Sequence, residues 1–313
     1  MGRRAVLDHL VALLAESAWG DALVLRGSMV LPAWVGEAAR EPADLDWVVE
    51  PSTLVPVDLA DPHPYVKELT AVQQWPEAAD GAARYEMWAF EEFETRGLRA
   101  HLPPEGCHWV PEAETDTDGP EAVLRELIAR HPVAAPGIAL DPDSVRVDGG
   151  WTYQDDGEVP GVRIAVRWTA DGRPAGEVSI DFARDERLPE PPVLTALPRG
   201  DGAGATVVRT ASRELSLAWK LLWLHADSHG AEGRARAKDL YDAVLLAEVC
   251  TLTPGLLRRV LAREPGHPGR LRLDTLAVAP SDWADLRAAD PRITGTADEW
   301  LGRLRTALAP LDP

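Results

Sequence analysis

The chain has no apolar run of the roughly 18 residues that a membrane-spanning helix requires. Its start, Gly2 to Ala15, is apolar enough to imitate a signal peptide, but Asp8 and His9 interrupt it and favour an amphipathic helix, which places the protein in the cytoplasm. Cysteine is scarce: Cys107 and Cys250 alone support neither a disulfide framework nor a zinc site, and read as free buried thiols. Basic residues are in deficit, with 32 Lys and Arg against 51 Asp and Glu. The resulting net charge of -19 repels phosphate backbones at long range and excludes a general nucleic-acid coat protein. Over half of that excess falls in residues 51 to 118, where 14 acidic residues face 4 basic ones, so a basic surface elsewhere stays open. With 45% apolar and 27% charged residues, what remains is an ordinary folding chain, long enough for two domains or one large one.

Periodicity divides it. Val6, Leu7, Leu10, Val11, Leu13 and Leu14 suit one helix face. A short apolar run, Ala22 to Leu25, meets Arg26-Gly27-Ser28, and helix-like composition resumes from Met29 to Val35. Asp44 to Val49 alternates and then turns solidly apolar, as a strand entering a sheet does. Residues 51 to 118, rich in Pro, Glu and Trp, read as an insertion, with helices only around Tyr65 to Gln74 and Ala83 to Phe93. A helix is expected from Pro120 to Ala129, then an antiparallel meander of Ser144 to Tyr153, Val162 to Thr169 and Gly176 to Phe182 with Asp-Gly turn signals. Beyond a Pro- and Gly-rich connector at 189 to 204 the chain turns helical: a Ser212-capped helix through His225, then Arg234 to Val249, Pro254 to Ala262, Ser281 to Ala288 and Ala297 to Ala309. The fold class is α+β, a mixed sheet with flanking helices followed by a helical half.

The chemistry concentrates in a few positions. Gly27-Ser28 is followed after fifteen residues by Asp44-Leu45-Asp46. Carboxylates at i and i+2 on a strand share a face and can hold a hard cation such as Mg²⁺ through oxygen. Gly27 permits close backbone approach to a ligand, and the Ser28 hydroxyl can hold phosphate. In Val178-Ser-Ile-Asp-Phe182 alternation sets Ser179, Asp181 and Ala183 opposite Val178, Ile180 and Phe182. An acid so placed is either a third metal ligand or a residue facing water from an edge strand. Lys220, among Leu217, Trp219, Leu221 and Leu222, either snorkels or reaches for an anion. Lys238, Asp239 and Asp242 can share one helix face, where surface ion pairing is the plain account.

Taken together, Leu25-Arg-Gly-Ser-Met-Val-Leu31, Arg40 with Asp44-Leu-Asp-Trp-Val-Val49, Leu217-Ala-Trp-Lys220 and Lys238-Asp-Leu-Tyr-Asp242 resemble the motif series of the AbiEii/AbiGii nucleotidyltransferase toxins, within the DNA polymerase β-like nucleotidyltransferases. The resemblance covers about residues 20 to 50 and 140 to 250. It implies a nucleotidyltransferase core at 1–188 carrying the 51–118 insertion, a helical domain at 205–313, a nucleoside triphosphate substrate and Mg²⁺, with two ions expected. It also implies transfer of nucleotides to the 3′ acceptor end of tRNA, and an antitoxin partner encoded nearby. By the same carry-over Gly27, Ser28, Lys220, Lys238 and Asp239 bind nucleotide, Asp44 and Asp46 hold metal with Asp181 as third carboxylate, and Asp242 completes the catalytic set with Lys220. A displacement at the α-phosphorus between two cations gives three carboxylates that role on chemical grounds as well. Two features depart from the family: Pro42 stands where members carry serine, and Lys238 stands where they carry arginine, which loses the bidentate fork.

For an RNA acceptor, the basic run from Leu256 to Arg272 supplies Arg258, Arg259 and Arg263 on a helix, against an ordinary solvated face as the plain account. Among the twelve tryptophans, Trp47, Trp168, Trp219 and Trp223 fall in apolar patterns and belong to the core, while Trp34, Trp75, Trp88 and Trp109 could stack on bases. The acidic surface and insertion suit two other readings: transfer to a small hydroxyl compound or a protein, or a noncatalytic interaction protein that keeps the fold.

Overall fold

The computed structural model describes residues 2–17, 19–20, 22–49, 119–148, 161–171, 173–183, 188–229, 233–262 and 271–309. The insertion at 51–118, with its two expected helices and with Trp75, Trp88, Trp109 and Cys107, lies outside them.

Helix α1 (Gly2–Ala15) forms because Val6, Leu7, Leu10, Val11 and Leu14 recur at helical spacing, and all five are buried. It covers one face of a sheet built from β1 (Leu23–Arg26), β2 (Leu45–Val49), β3 (Val133–Ala135), β4 (Ile138–Leu140), β5 (Arg146–Asp148), β6 (Gly161–Ala170), β7 (Arg173–Ala183), β8 (Val193–Pro198) and β9 (Ala205–Thr210). The strand order is β3-β4-β6-β7-β2-β1-β9-β8, and β5 lies against β6 on the same edge as β4. The expected meander is there as β5-β6-β7, antiparallel throughout, although residues 151–160 between β5 and β6 are not among those described. Two pairs are parallel, β2 with β7 and β1 with β9, so the sheet is mixed.

Between β1 and β2 the chain makes a 3-10 turn at Gly27–Met29 and the short helix α2 (Leu31–Val35), where composition alone suggested one helix. Helix α3 (Pro120–Arg130) joins α1 on the same sheet face through Leu124 and Ile128. Every described strand precedes residue 211; from there the described chain is helical: α4 (Arg213–His229), α5 (Ala237–Val249), α6 (Pro254–Leu261), α7 (Pro280–Ala289) and α8 (Ala297–Leu308). Local chemistry sets their starts. The Ser212 hydroxyl accepts from the Leu215 amide at 3.0 Å, and Thr296 and Glu299 form a reciprocal capping box at α8. Helix α5 begins at Ala237 rather than at Arg234: Arg236 is extended as its N-cap, and Ala235 lies in an isolated parallel bridge, its amide donating to the Ala277 carbonyl at 2.7 Å.

Alternation along the strands separates two cores. Leu23, Leu25, Leu45, Trp47, Ile164, Val166, Val178, Ile180 and Phe182 pack with α1 and α3. Val24 and Val48, register partners on the opposite face, pack with Leu215, Ala218, Leu221, Leu240 and Val244 of the C-terminal helices. Strands β1 and β2 are therefore covered on both sides, and a polar residue of β2 in phase with Val48 is turned toward the helices. None of the described helices is long and apolar enough to cross a membrane.

Candidate active site

Asp46 is in phase with Val48. Its Cα partners are Arg26 across β1 and Asp181 across β7, and Asp181 in turn faces Arg163 on β6. Register partners point to one side of a sheet, so Arg26, Asp46, Asp181 and Arg163 form a single row across four strands, on the face turned to the helices. Asp44, just before β2, belongs to the same side, two residues from Asp46. The parallel pairing of β2 with β7 thus brings together acids that are 135 positions apart.

Each member has a distinct setting. The Arg26 guanidinium lies over the rings of Trp219 and Trp223, 5.2 and 5.6 Å from their centroids, which fastens the end of β1 to α4. Gly27 follows with φ +77°, and a Cβ there would lie 2.2 Å from an oxygen of Asp46, so only glycine lets that carboxylate sit against the turn. Ser28 is buried, and its hydroxyl has no hydrogen-bond partner among the described residues. A buried hydroxyl is seldom left so, and this one follows directly on the glycine that sits against Asp46. Burial and the neighbouring Asp44 push the Asp46 carboxyl up to about 7, with Asp181 adding to the effect and Arg26 and Lys220 opposing it. Asp181 is almost fully buried, and both of its oxygens accept from Arg163, Oδ1 from Nε at 2.7 Å and Oδ2 from Nη2 at 2.6 Å.

Lys220 neither snorkels to solvent nor points at open space. Its ammonium donates to Asp239 at 2.6 Å, lies 3.1 Å from Asp242, and sits 5.2 Å from the Trp223 centroid. Burial would lower its pKa, but Asp239 and Asp242 outweigh burial and hold it above the ordinary lysine value. Asp239 moves the other way: burial would raise it, and Lys220 with Lys238 brings it below the usual carboxylate range. Asp242, with a side chain 0% exposed, also takes a forked contact from Arg40, whose Nε and Nη2 each approach to 2.9 Å. Lys238, on the same helix turn, is half-buried. Lys220, Asp239, Asp242 and Arg40 therefore form one buried ionic cluster linking α4 and α5 to the segment that leads into Asp44.

From Glu37 to Arg40 that segment is held at every residue. The Glu37 and Ala39 carbonyls accept from Arg292 at 2.7 and 3.1 Å, the Ala38 carbonyl accepts from the Tyr241 hydroxyl at 2.7 Å, and Arg40 meets Asp242. Sequence reasoning passed over Arg292, Tyr241 and Arg163 because an arginine in a loop or strand carries no local mark of its distant partner. Of the proposed RNA contacts, Arg258 and Arg259 are exposed on α6, and Arg263 lies outside the described residues. Trp47, Trp168 and Trp219 are core residues as expected, and Trp34 and Trp223 are partly buried. Cys250 has its thiol pushed up to about 12 by burial, which makes it inert.

Asp44 and Asp46 are hard oxygen donors that repel one another, and they fit one divalent cation of the Mg²⁺ kind, which commonly keeps waters and uses one or two carboxylates plus substrate phosphate. Among the described residues no group of three or more His, Cys, Asp or Glu side chains is arranged to hold an ion.

The fold is α+β, a mixed sheet that carries Asp46 and Asp181 side by side on the face turned to the C-terminal helices. The family model of the AbiEii nucleotidyl transferase toxin of type IV toxin–antitoxin systems matches residues 112–312, so the chain belongs to that family and is a nucleotidyltransferase. The matched part contains Asp181, Lys220, Asp239 and Asp242; Gly27, Ser28, Asp44 and Asp46 lie before it. No curated protein matches the chain.

Proposed function

We propose that the protein is a Mg²⁺-dependent nucleotidyltransferase toxin that transfers nucleotides from a nucleoside triphosphate to the 3′ acceptor end of tRNA, and that an antitoxin restrains it. The observation that carries this reading is the Asp46 carboxylate set against the Gly27 turn beside Asp44, with the next residue, Ser28, buried and its hydroxyl without a hydrogen-bond partner among the described residues. In this reading residues 1–188 form the nucleotidyltransferase core and 205–313 a helical domain that braces it.

Ser28 donates its hydroxyl hydrogen to a phosphate oxygen, and Gly27, lacking a side chain, lets the nucleotide come close to the backbone. Asp44 and Asp46 hold the cation, which when bound supplies charge neutralisation at the reacting phosphate and acidifies the attacking hydroxyl. Lys220 and Asp242 serve by keeping α4 and α5 registered on the segment 37–40, so that Asp44 and Asp46 stay aligned. Lys238, half-buried beside this cluster, is the remaining candidate for a nucleotide contact from α5, and Arg258 and Arg259, the latter 3.5 Å from Glu190, are exposed cations on α6 that tRNA phosphates could meet.

Labelled triphosphates offered with total tRNA and Mg²⁺ test the proposal. Label should enter tRNA with the native chain and not with Asp46→Ala, and expression of the native chain alone should stop growth. Label entering protein or a small hydroxyl compound instead, with tRNA unlabelled, would redirect the acceptor assignment in keeping with the net charge of -19. Absence of any triphosphate binding would refute the reading.

A further inference from the structure

Of the acids in the row, Asp181 alone is engaged at both oxygens by a neighbouring strand. Arg163 is its register partner, and the planar contact of Nε with Oδ1 at 2.7 Å and Nη2 with Oδ2 at 2.6 Å is the fork-to-fork pairing that guanidinium and carboxylate favour. The exposures are unequal: the Asp181 side chain is 4% exposed and that of Arg163 is 23%. The pair is thus anchored at its carboxylate end and reaches solvent at its guanidinium end. Arg163 also lies in the field of Asp44 and Asp46, on the same sheet face. A divalent ion placed on Asp181 would have to share the carboxylate with this fork and sit beside a guanidinium of like sign. An arginine held there already supplies a permanent positive charge beside Asp44 and Asp46, of the sign that phosphate requires.

Resting on the nucleotidyltransferase reading, we infer that Arg163 takes the place of a second metal ion: the site holds one divalent cation, on Asp44 and Asp46, and Arg163, oriented by Asp181, binds the triphosphate of the incoming nucleotide. Asp181 is then a positioning residue and not a metal ligand. The assignment accounts for the failure of the three carboxylates to assemble into a metal-holding group among the described residues.

Mn²⁺, counted by electron paramagnetic resonance, and inorganic triphosphate, followed by calorimetry, separate the roles. The native chain, Arg163→Met and Asp181→Asn should each bind one Mn²⁺ with affinities within about threefold, while Asp46→Asn should lose it. Triphosphate affinity should fall about tenfold in Arg163→Met and in Asp181→Asn, with the double variant no weaker than Arg163→Met, as expected of two residues acting as one unit. Arg163→Lys, which keeps the charge without the fork, should recover part of the loss and decides the matter if Asp181→Asn does not fold. Two Mn²⁺ per native chain, loss of Mn²⁺ in folded Asp181→Asn, or unchanged triphosphate affinity in Arg163→Met would overturn the role given to Arg163 while leaving a nucleotide site in place. A native chain that binds neither Mn²⁺ nor triphosphate would remove the nucleotidyltransferase site itself, and this inference with it.

Discussion

Neutralising Asp242 should be among the most damaging single changes available to this protein. Its side chain is 0% exposed and stands between two cations, Arg40 at 2.9 Å and Lys220 at 3.1 Å, which are themselves only 13% and 7% exposed. At an effective dielectric near 20, each attraction across about 3 Å amounts to about 5 kcal/mol before the cost of dehydrating the partners. Burial consumes much of that sum, and removing one member of a buried pair typically costs about 3–5 kcal/mol, because the partner charges stay behind unbalanced. Asp242→Asn keeps the shape and leaves Arg40 and Lys220 facing each other with Asp239 as the nearest acid. A loss of about 3–5 kcal/mol follows, a large share of the 5–15 kcal/mol that folded domains commonly possess. Asp239→Asn should cost less, about 1–3 kcal/mol, since Lys220 keeps Asp242. Urea unfolding followed by tryptophan fluorescence, with the slope checked for constancy, measures both variants. A loss under about 1 kcal/mol for Asp242→Asn, or a larger loss for Asp239→Asn, would show that the cluster does not brace the helices against the segment 37–40.

Gly27→Ala combines a positive φ with a side-chain carbon 2.2 Å from the Asp46 carboxylate, so it should cost about 1–3 kcal/mol and abolish triphosphate binding even where the chain stays folded, as thermal melting with and without triphosphate will show. Asp46, pushed up to about 7, binds a proton in the folded state that it releases in the unfolded state above pH about 4. Its contribution therefore makes the metal-free protein less stable as pH rises from about 4 to 7, while Mg²⁺, which needs the carboxylate ionised, should raise the melting temperature more at pH 8 than at pH 6; an equal rise at both would count against Asp46 as ligand. Asp239 has the opposite sign: held below the ordinary carboxylate range, it stabilises at neutral pH and ceases to do so as acid protonates it, a loss that Lys220→Met should diminish in acid-unfolding curves. Arg292→Ala removes hydrogen bonds to the Glu37 and Ala39 carbonyls at 2.7 and 3.1 Å, about 1–2 kcal/mol in total, and should speed hydrogen exchange across residues 37–46 more than elsewhere.

Much was legible from residue order alone. The spacing of apolar residues in α1, the alternation of Val178, Ile180 and Phe182 against Ser179 and Asp181, and the Ser212 cap all depend on neighbours within a few positions, and each is found where that pattern places it. The motif residues Gly27, Ser28, Asp44 and Asp46 were recognisable because a turn and a strand bring them together over a short stretch. Lys220 was less legible. A lysine amid leucines and tryptophans reads equally as a snorkelling side chain or an anion contact, and the choice was made by Asp239 and Asp242 on another helix.

Hydrophobic period and local capping are short-range physics, and they determined which segments became helix or strand and which side of each strand turned to water or core. Which strands lie side by side is a matter of closing long loops against many simultaneous contacts, and no local pattern names the partner. Only the folded chain could set β7 parallel to β2, put Asp181 beside Asp46, and give Asp181 to Arg163. The same holds for Arg40 and Asp242, 202 positions apart: opposite charges are common in the sequence, and burial in one shared place is what turned these two into a bond.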